Sequence, residues 1–316
     1  MNLVVVIVNY ATPSHVLKGL AALVPELKKL SETAECWIID NCSPDNSLSI
    51  ISKAIEKNKY HDYIKLIPSP VNGGFGAGNN VAIKKARALK NQPDHYYFLN
   101  PDALILPGTI NKMIAYLKHN KNVGVVGGPI LDIKGNFECG AFRFPSLRST
   151  IEENLGIGLV SKLWKSHRVN ISPAPDTNSA VQWVSGASMM MSREALNKSG
   201  IFDEGYFLYF EELDLCKRIS DQGFEIHYLP EAAILHDAGA STGINKTNIR
   251  LPQYWHNSRS RYLQKTFGKR GLFIHNLATI IAGAIGKLYR LIRSRPSSRK
   301  KYLRVIIKYN FLNSGK

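Results

Sequence analysis

Single acidic and histidine side chains stand in the sequence where they could bind a metal ion. Asp102 follows the run 98–101, in which Pro101 fixes the turn that aims the carboxylate. Such a carboxylate could hold Mg²⁺ or Mn²⁺ against a diphosphate, because these ions need only one or two protein oxygens. His236 follows the apolar run 232–235, and a histidine at a strand end can be a metal ligand. Taken alone, each is better explained as a turn or loop residue.

Three acids, Glu211, Glu212 and Asp214, follow the aromatic run 207–210 at the start of a predicted helix. Acids at a helix N-terminus interact favourably with its dipole, which is a purely structural explanation. Adjacent carboxylates beside an aromatic surface also raise the pKa of one of them, as a general base requires. We therefore favour these acids as catalytic candidates.

Two further segments could contact a nucleotide. Asp40 ends a predicted strand and could accept a hydrogen bond from a ribose hydroxyl, or could only form the following turn. Segment 72–80, Asn-Gly-Gly-Phe-Gly-Ala-Gly-Asn-Asn, is predicted as a loop that lets the backbone approach a ligand before a helix N-terminus. It matches neither the dinucleotide fingerprint nor the phosphate loop. A tight strand-to-helix turn is the alternative.

The elements that must position these side chains alternate between strand and helix. Predicted strands cover 3–8, 36–39, 63–67, 96–99, 123–126, 183–191, 225–229 and 232–235. Predicted helices cover 14–30, 45–55, 81–89, 109–119, 193–198 and 211–222. This order predicts an α/β fold with a mostly parallel sheet flanked by helices, whose ligands bind at the carboxyl ends of the strands. Polar residues stand at those predicted ends: Asn9, Tyr10, Asp40, Asn72, Asn100 and Asp102.

The net charge of +17 over 316 residues is concentrated at one end of the chain. Residues 238–316 hold 17 of the 41 Lys and Arg and no acid, so the tail favours polyanions such as anionic lipid headgroups. The apolar run Leu272–Gly286 is shorter than the roughly 20 residues that span a bilayer, which predicts a surface or shallowly inserted helix. No nucleic-acid-binding motif is present, and nucleic acid is not expected as a partner.

Composition excludes several classes of protein. The hydrophobic fraction of 44% argues against wholesale disorder. The four cysteines are not in C-x-x-C spacing, which disfavours a zinc site and suits a reducing cytoplasm. The apolar run 3–8 is too short for a signal peptide, so we expect a cytoplasmic protein, peripheral at the inner face of the cell membrane.

As an ordered set, the motifs resemble the inverting family 2 glycosyltransferases with the GT-A fold, and most closely the bacterial rhamnosyltransferase branch. The matching segments are Val6–Tyr10, Ile38–Asn41, Asn72–Gly76, Leu99–Asp102, Gly186–Ser188, Tyr209–Asp214 and Leu235–His236. The resemblance implies a GT-A catalytic domain at 1–245, with a nucleotide-sugar-binding half at 1–130 and an acceptor and catalytic half at 131–245. Residues 246–316 would form a basic helical tail on the membrane surface.

The resemblance also implies a role for each candidate. Glu212 would be the base that deprotonates the acceptor hydroxyl, with Glu211 as the alternative base and Asp214 shaping the site. Asp102 and His236 would bind Mg²⁺ or Mn²⁺. The implied donor-binding residues are Asn9, Tyr10, Asp40, Asn72, Gly73, Phe75, Asn100, Asp102, Gly186 and Ala187. Two positions depart from the family pattern, because residue 100 is Asn and residue 212 is Glu where Asp is the commoner residue.

The implied reaction moves a sugar from a nucleotide sugar to a hydroxyl of a glycan or polyprenyl-diphosphate-linked acceptor in cell-surface polysaccharide synthesis. The rhamnosyl branch implies dTDP-rhamnose as donor. A UDP-sugar donor, galactofuranosyl or N-acetylglucosaminyl, is the alternative within the same fold. A non-catalytic sugar- or polyanion-binding protein is the alternative of a different class.

Overall fold

A computed structural model describes residues 2–237, 251–293 and 307–308. The strands are β1 Leu3–Asn9, β2 Ala34–Asp40, β3 Ile64–Pro68, β4 His95–Leu99, β5 Ala103–Ile105, β6 Val123–Gly127, β7 Ile130–Leu131, β8 Phe137–Cys139, β9 Ser179–Val181, β10 Ser188–Ser192, β11 Glu225–Tyr228 and β12 Ile234–His236. The helices are α1 Pro13–Lys29, α2 Ser47–Lys57, α3 Gly74–Arg87, α4 Thr109–His119, α5 Leu147–Leu155, α6 Gly158–Leu163, α7 Arg193–Ser199, α8 Glu211–Asp221 and α9 Gln253–Ile292.

The central sheet has the strand order β3-β2-β1-β4-β10-β6-β11-β9. Strands β1 to β4, β6 and β11 run in one direction, whereas β10 and β9 run in the other. Every residue of β1 is buried, because helices cover both faces of the sheet. Leu3, Val5 and Ile7 join one apolar core, while Val4 and Val6 join the other. The predicted mostly parallel α/β fold is confirmed.

A second, smaller sheet has the strand order β5-β12-β7-β8. Its first pair is antiparallel, with His236 opposite Ala103, so the end of β12 comes beside the residue that precedes β5. The sequence predicted neither β5 nor this pairing, because three-residue strands leave little periodic pattern. The small sheet therefore brings Asp102 next to His236, although the two residues are 134 positions apart in the chain.

Two predicted elements were wrong in their bounds. The segment 72–80 is not a loop, because α3 begins at Gly74 and contains the remaining glycines. A side chain at Gly74 would collide with the Phe207 carbonyl oxygen at 1.7 Å, and one at Gly78 with Val8 at 2.7 Å. These glycines therefore serve close helix packing. The predicted strand 183–191 is only Ser188–Ser192, because Ser185 and Ala187 form a hydrogen-bonded turn before it.

Helix α9 bends at Gly268, whose φ of 71° and ψ of 178° are not helical. Its first part, 253–267, packs beside α8, and its second part, 269–292, packs along α5. The predicted helical tail is thus confirmed within the described range. By length and composition alone α9 could cross a membrane, but a third of its most apolar stretch is buried in the protein. The proposed boundary at residue 245 and most of the basic tail after residue 293 lie outside the described residues.

Candidate active site

A cleft of about 480 Å³ opens at the carboxyl ends of β1 and β4, beside the start of α8. Ten of the fourteen residues predicted from sequence line it, namely Tyr10, Asn72, Phe75, Asn100, Asp102, Gly186, Ala187, Glu211, Glu212 and His236. The carboxyl ends of the parallel strands β1, β3 and β4 bring four of these residues to one edge of the sheet, namely Tyr10, Asn72, Asn100 and Asp102. Asn9, Asp40, Gly73 and Asp214 do not line the cleft.

Asp102 and His236 meet at one side of the cleft. The His236 Nε2 atom lies 3.0 Å from the Asp102 Oδ1 atom and 3.3 Å from the Asn100 Nδ2 atom. Asp102 is 5% exposed. In the part of the chain that the structure describes, no third acid, histidine or cysteine joins them to complete a metal cluster. One carboxylate and one imidazole fit a divalent ion that takes its other ligands from a diphosphate and water.

Asn9 and Asp40 lie behind the cleft and brace its floor. The Asn9 Nδ2 atom donates to the Asp40 Oδ1 atom at 2.7 Å, and the Ser43 hydroxyl donates to the same oxygen at 2.7 Å. The Asn9 Oδ1 atom accepts a hydrogen bond from the Thr12 amide at 3.2 Å. This network holds together the loops after β1 and β2. The structure therefore places these two predicted donor-binding residues behind the residues that line the cleft.

Asn41 is a further polar residue of the cleft. It ends the matching segment Ile38–Asn41, but the sequence assigned it no role beyond a turn. Its Nδ2 atom donates to the Asn72 Oδ1 atom at 2.9 Å and to the Gly74 carbonyl at 3.1 Å. Asn72 in turn accepts from the Gly74 amide at 3.0 Å. The two asparagines thereby fix the entry into α3, and Gly73 lies between their contacts without facing the cleft.

Glu211 and Glu212 begin α8 directly after two residues with left-handed backbone. Tyr209 has a φ of 70° and Phe210 a φ of 71°, and such conformations are costly for aromatic side chains. Burial, together with the neighbouring Glu212, raises the pKa of Glu211 well above its usual value of 4.5. Burial also raises the pKa of Glu212, but backbone amides that include the Gly186 amide favour its ionised form. The two carboxyls thus differ in their tendency to ionise.

Asp214 belongs to an ion-pair network on the other side of α8. Its carboxylate lies 2.6 Å from the Lys265 ammonium group and 2.9 Å from the Arg218 Nε atom. It also accepts a hydrogen bond from the Tyr206 hydroxyl at 3.2 Å. A carboxylate with these three partners is positioned to hold α8 in place, and it does not reach the cleft.

The first part of α9 supports the segment that leads into α8. The Ser258 hydroxyl donates to the Leu208 carbonyl at 3.0 Å, and the Tyr254 ring stacks on the Tyr209 ring with 6.2 Å between centroids. Tyr254 itself lines the cleft. Sequence reasoning missed Tyr254, since its only signal was an aromatic pair at 254–255 within the basic tail.

Comparison with known proteins connects this geometry to a family. The sequence profile of "Glycosyl transferase family 2" matches residues 4–200. The chain is 28% identical over 250 residues to an "N-acetylglucosaminyl-diphospho-decaprenol L-rhamnosyltransferase" of Mycobacterium tuberculosis. The aligned region covers 76% of this chain and 77% of the relative. The chain is 27% identical over 199 residues to "Rhamnosyltransferase WbbL" of Escherichia coli, covering 61% of this chain and 70% of the relative.

A solved structure has a similar fold. A mannosyltransferase from Pyrobaculum calidifontis, determined in complex with GDP-Man and Mn²⁺, superposes with a TM-score of 0.56 at 15% identity. The match covers 93% of this chain and 75% of that protein. At this level of identity the likeness concerns the fold, which is that of GT-A proteins.

Proposed function

This chain belongs to glycosyl transferase family 2, and from that membership we propose that it transfers a sugar from a nucleotide-sugar donor to a hydroxyl of a glycan or lipid-linked saccharide in polysaccharide synthesis. One observation carries the proposal beyond the family: the Asp102–His236 pair and the Glu211–Glu212 pair line the same cleft. A transferase needs a site for the leaving diphosphate and a base for the acceptor within one cavity.

The donor that fits the relatives is dTDP-rhamnose. Two relatives carry rhamnosyltransferase names, and a third is named "dTDP-rhamnosyl transferase RfbF", 26% identical over 252 residues. A UDP-sugar, galactofuranosyl or N-acetylglucosaminyl, is the alternative donor. The nucleotide would lie along Tyr10, Asn72 and Phe75, above the Asn9–Asp40 network.

Asp102 and His236 are the residues that would hold Mg²⁺ or Mn²⁺. A bound divalent ion would offset negative charge on the donor diphosphate. The chain itself contributes the Asn100 amide beside them, and an amide in place of a second carboxylate lowers the negative charge at this position. We therefore expect a weaker metal affinity than two carboxylates would give.

Glu212 is the proposed base. The acceptor hydroxyl loses its proton to the Glu212 carboxylate while its oxygen bonds to the anomeric carbon, and the carbon–phosphate oxygen bond breaks with its electron pair on the nucleotide diphosphate. A single displacement of this kind inverts the anomeric centre. Burial and the neighbouring Glu212 raise the pKa of Glu211 and favour its protonated form, in which the carboxyl would act as a hydrogen-bond donor.

The second part of α9 is the proposed membrane contact. Its buried face is polar or small, with His275, Asn276 and Thr279, whereas its opposite face exposes Ile274, Leu277, Ile281, Ile285 and Leu288. A helix in water has the reverse arrangement. Lys287, Arg290 and Arg293 follow this apolar face, so the surface suits anionic lipid. The double variant Ile281→Ser/Ile285→Ser should lose binding to phosphatidylglycerol vesicles, and Ile133→Ser, at a more exposed isoleucine outside α9, should retain it.

A donor panel with base variants tests the proposed reaction. Purified protein is given dTDP-rhamnose or UDP-sugars with and without Mg²⁺ or Mn²⁺, and released nucleotide and binding are measured. We expect Glu212→Gln to lower turnover by about 10²- to 10⁴-fold with donor affinity retained. Full turnover by Glu212→Gln would refute the base assignment. Failure to bind any nucleotide sugar would refute the enzymatic function itself.

A further inference from the structure

A second cavity of about 430 Å³ adjoins the cleft and shares Tyr209 and Glu212 with it. Its walls come from six places in the chain: the segment 142–145, helix α5, the segment 168–170, Trp183, the segment 209–213 at the start of α8, and the first part of α9. Only Glu212 among the acids of α8 lines both spaces. A side chain placed between two cavities can contact a ligand in each.

Two residues that line this cavity each have a buried side-chain oxygen atom with no hydrogen-bond partner within the described chain. These atoms are the Glu212 Oε2 atom and the Asn170 Oδ1 atom. A buried acceptor without a donor costs about 1–3 kcal/mol, so such atoms in a cavity indicate a ligand that supplies donors. Both atoms are acceptors, and hydroxyl groups are the donors that a saccharide presents.

One wall of the cavity is an aromatic pair. The Phe142 and Trp183 rings stack with 4.2 Å between centroids and 16° between planes. The Trp183 Nε1 atom donates to the Arg143 carbonyl at 2.9 Å, which fixes the ring. A rigid aromatic face suits the apolar face of a pyranose ring, while polar groups around it orient the hydroxyls.

The charged residues of this cavity are of both signs. Glu152 and Glu153 lie with Arg168 and Arg259 in its lining, and the Arg168 Nε atom is 3.7 Å from a Glu152 carboxylate oxygen. Carboxylates in the lining disfavour a phosphate group in the interior. The mixture therefore suits a neutral ligand with many hydroxyls better than a polyanion.

We propose that this second cavity binds the terminal pyranose of the acceptor, with the reacting hydroxyl directed to the Glu212 Oε2 atom. The assignment rests on the proposed glycosyltransferase function and names where its acceptor sugar lies. The Phe142–Trp183 pair supplies the platform, and Asn170 fixes the ring through a second hydroxyl. Donor and acceptor then occupy separate cavities that meet at Glu212.

Binding of simple glycosides tests the assignment without knowledge of the natural acceptor. Octyl glycosides of N-acetylglucosamine, glucose, galactose and rhamnose are titrated into the full chain saturated with the nucleoside diphosphate that binds it, dTDP or UDP. We expect at least one to bind, and Asn170→Ala to weaken that binding about tenfold, as loss of one hydrogen bond implies. Trp183→Leu should weaken it by a similar factor or more. Asn178→Ala, an exposed asparagine outside both cavities, is the matched control.

The outcomes separate this inference from the proposed function. Nucleotide affinity and melting temperature should be equal in wild type, Asn170→Ala and Asn178→Ala, and in a transfer assay only the KM for the glycoside should rise. The cavity assignment would be overturned if no glycoside bound, or if both the Asn170→Ala and Trp183→Leu variants bound the glycoside as tightly as the wild type. If nucleotide still bound in that case, the proposed transferase function would stand. Loss of nucleotide binding in wild type would instead refute the function.

Discussion

The two flanks of the cleft hold their polar side chains in different ways. On the β1–β2 flank, Asn9, Asp40 and Ser43 bond directly to one another at the ends of neighbouring strands. On the α8 flank, the segment 207–210 is held by α9, which lies beyond the region matched by the family profile. The first flank is thus fixed by sheet pairing, while the second depends on a helix that begins about 40 residues later in the chain.

The flanks also differ in how completely their acids are satisfied. Asp40 accepts hydrogen bonds from Asn9 and Ser43, whereas Glu211 and Glu212 each retain a buried oxygen without a partner in the described chain. Unsatisfied buried carboxyls and strained backbone are costly, and the contacts of α9 offset that cost. The comparison indicates that the flank with the proposed base, Glu212, is the one held in position by residues distant in the chain.

Removing the apolar anchor of α9 should have the largest effect. Leu263 is 3% exposed and packs with Tyr206, Leu213 and Tyr262 against α8. Leu263→Ala should lower the free energy of unfolding by about 2–5 kcal/mol and the turnover by more than tenfold, because α8 shifts. Leu27→Ala, also at a residue 3% exposed but in α1, should cost similar stability with turnover retained. Urea unfolding measures the stability of each variant, and kcat is measured under conditions where both are folded. Equal turnover in Leu263→Ala and Leu27→Ala would contradict the idea that α9 positions the α8 flank.

The opposite flank is tested by Asn9→Ala. Asn9 is fully buried, and its loss removes one hydrogen-bond donor from Asp40 and the acceptor of the Thr12 amide. We expect the free energy of unfolding to fall by about 1–3 kcal/mol and nucleotide affinity to fall, because the loops after β1 and β2 loosen. Calorimetric titration with the nucleotide diphosphate measures this effect. The acceptor KM should not change, and an altered acceptor KM would show that the flanks are not independent.

The sequence predicted the β1–β2 flank of the cleft better than the α8 flank. Strand ends such as Asn100 and Tyr10 were found because the β–α–β order brings the carboxyl ends of parallel strands to one edge. The glycine-rich segment was assigned to a loop because glycine disfavours helices, whereas Gly78 is required where α3 touches Val8. Local propensity does not report such a contact between distant residues.

Residues supplied by long-range packing escaped sequence reasoning. Tyr254 enters the cleft only because α9 folds back onto Tyr209, and nothing near position 254 specifies that contact. Asp214 was grouped with the two glutamates by spacing, yet its helical position turns it towards Lys265. A second cavity between α5 and α9 has no motif at all, since its lining is scattered from Phe142 to Leu263.

A smaller effect is expected from the ion pairs that join α9 to the loop before α8. Burial opposes the ionisation of Asp203, but hydrogen bonds from Arg261 and Lys265 outweigh it and lower the pKa below 3.8. The stabilisation is therefore complete above pH 3.8 and is lost as the pH falls below it. Because these side chains are partly exposed, Asp203→Asn should cost about 1 kcal/mol at pH 7.

The difference between wild type and Asp203→Asn should shrink between pH 4 and pH 2, as measured by thermal unfolding. Glu204→Gln is its matched control, since Glu204 pairs with Lys84 of α3 rather than with α9. Only Asp203→Asn should lower turnover, by severalfold. Equal turnover in both variants would show that α9 does not need these ion pairs to position α8.

The smallest change in turnover is expected for Glu211→Gln. Burial and Glu212 raise the pKa of Glu211 well above 4.5, which favours the protonated carboxyl, and glutamine resembles that form in shape and charge. Turnover at pH 7 should change less than about threefold, against the 10²- to 10⁴-fold loss for Glu212→Gln. The folded wild type binds a proton that the unfolded chain releases above pH 4.5, so its stability falls as the pH rises towards the raised pKa. Glu211→Gln should remove that decline. If the free energy of unfolding changed in parallel in both proteins from pH 5 to 9, the proton bound by the folded state would not be on Glu211.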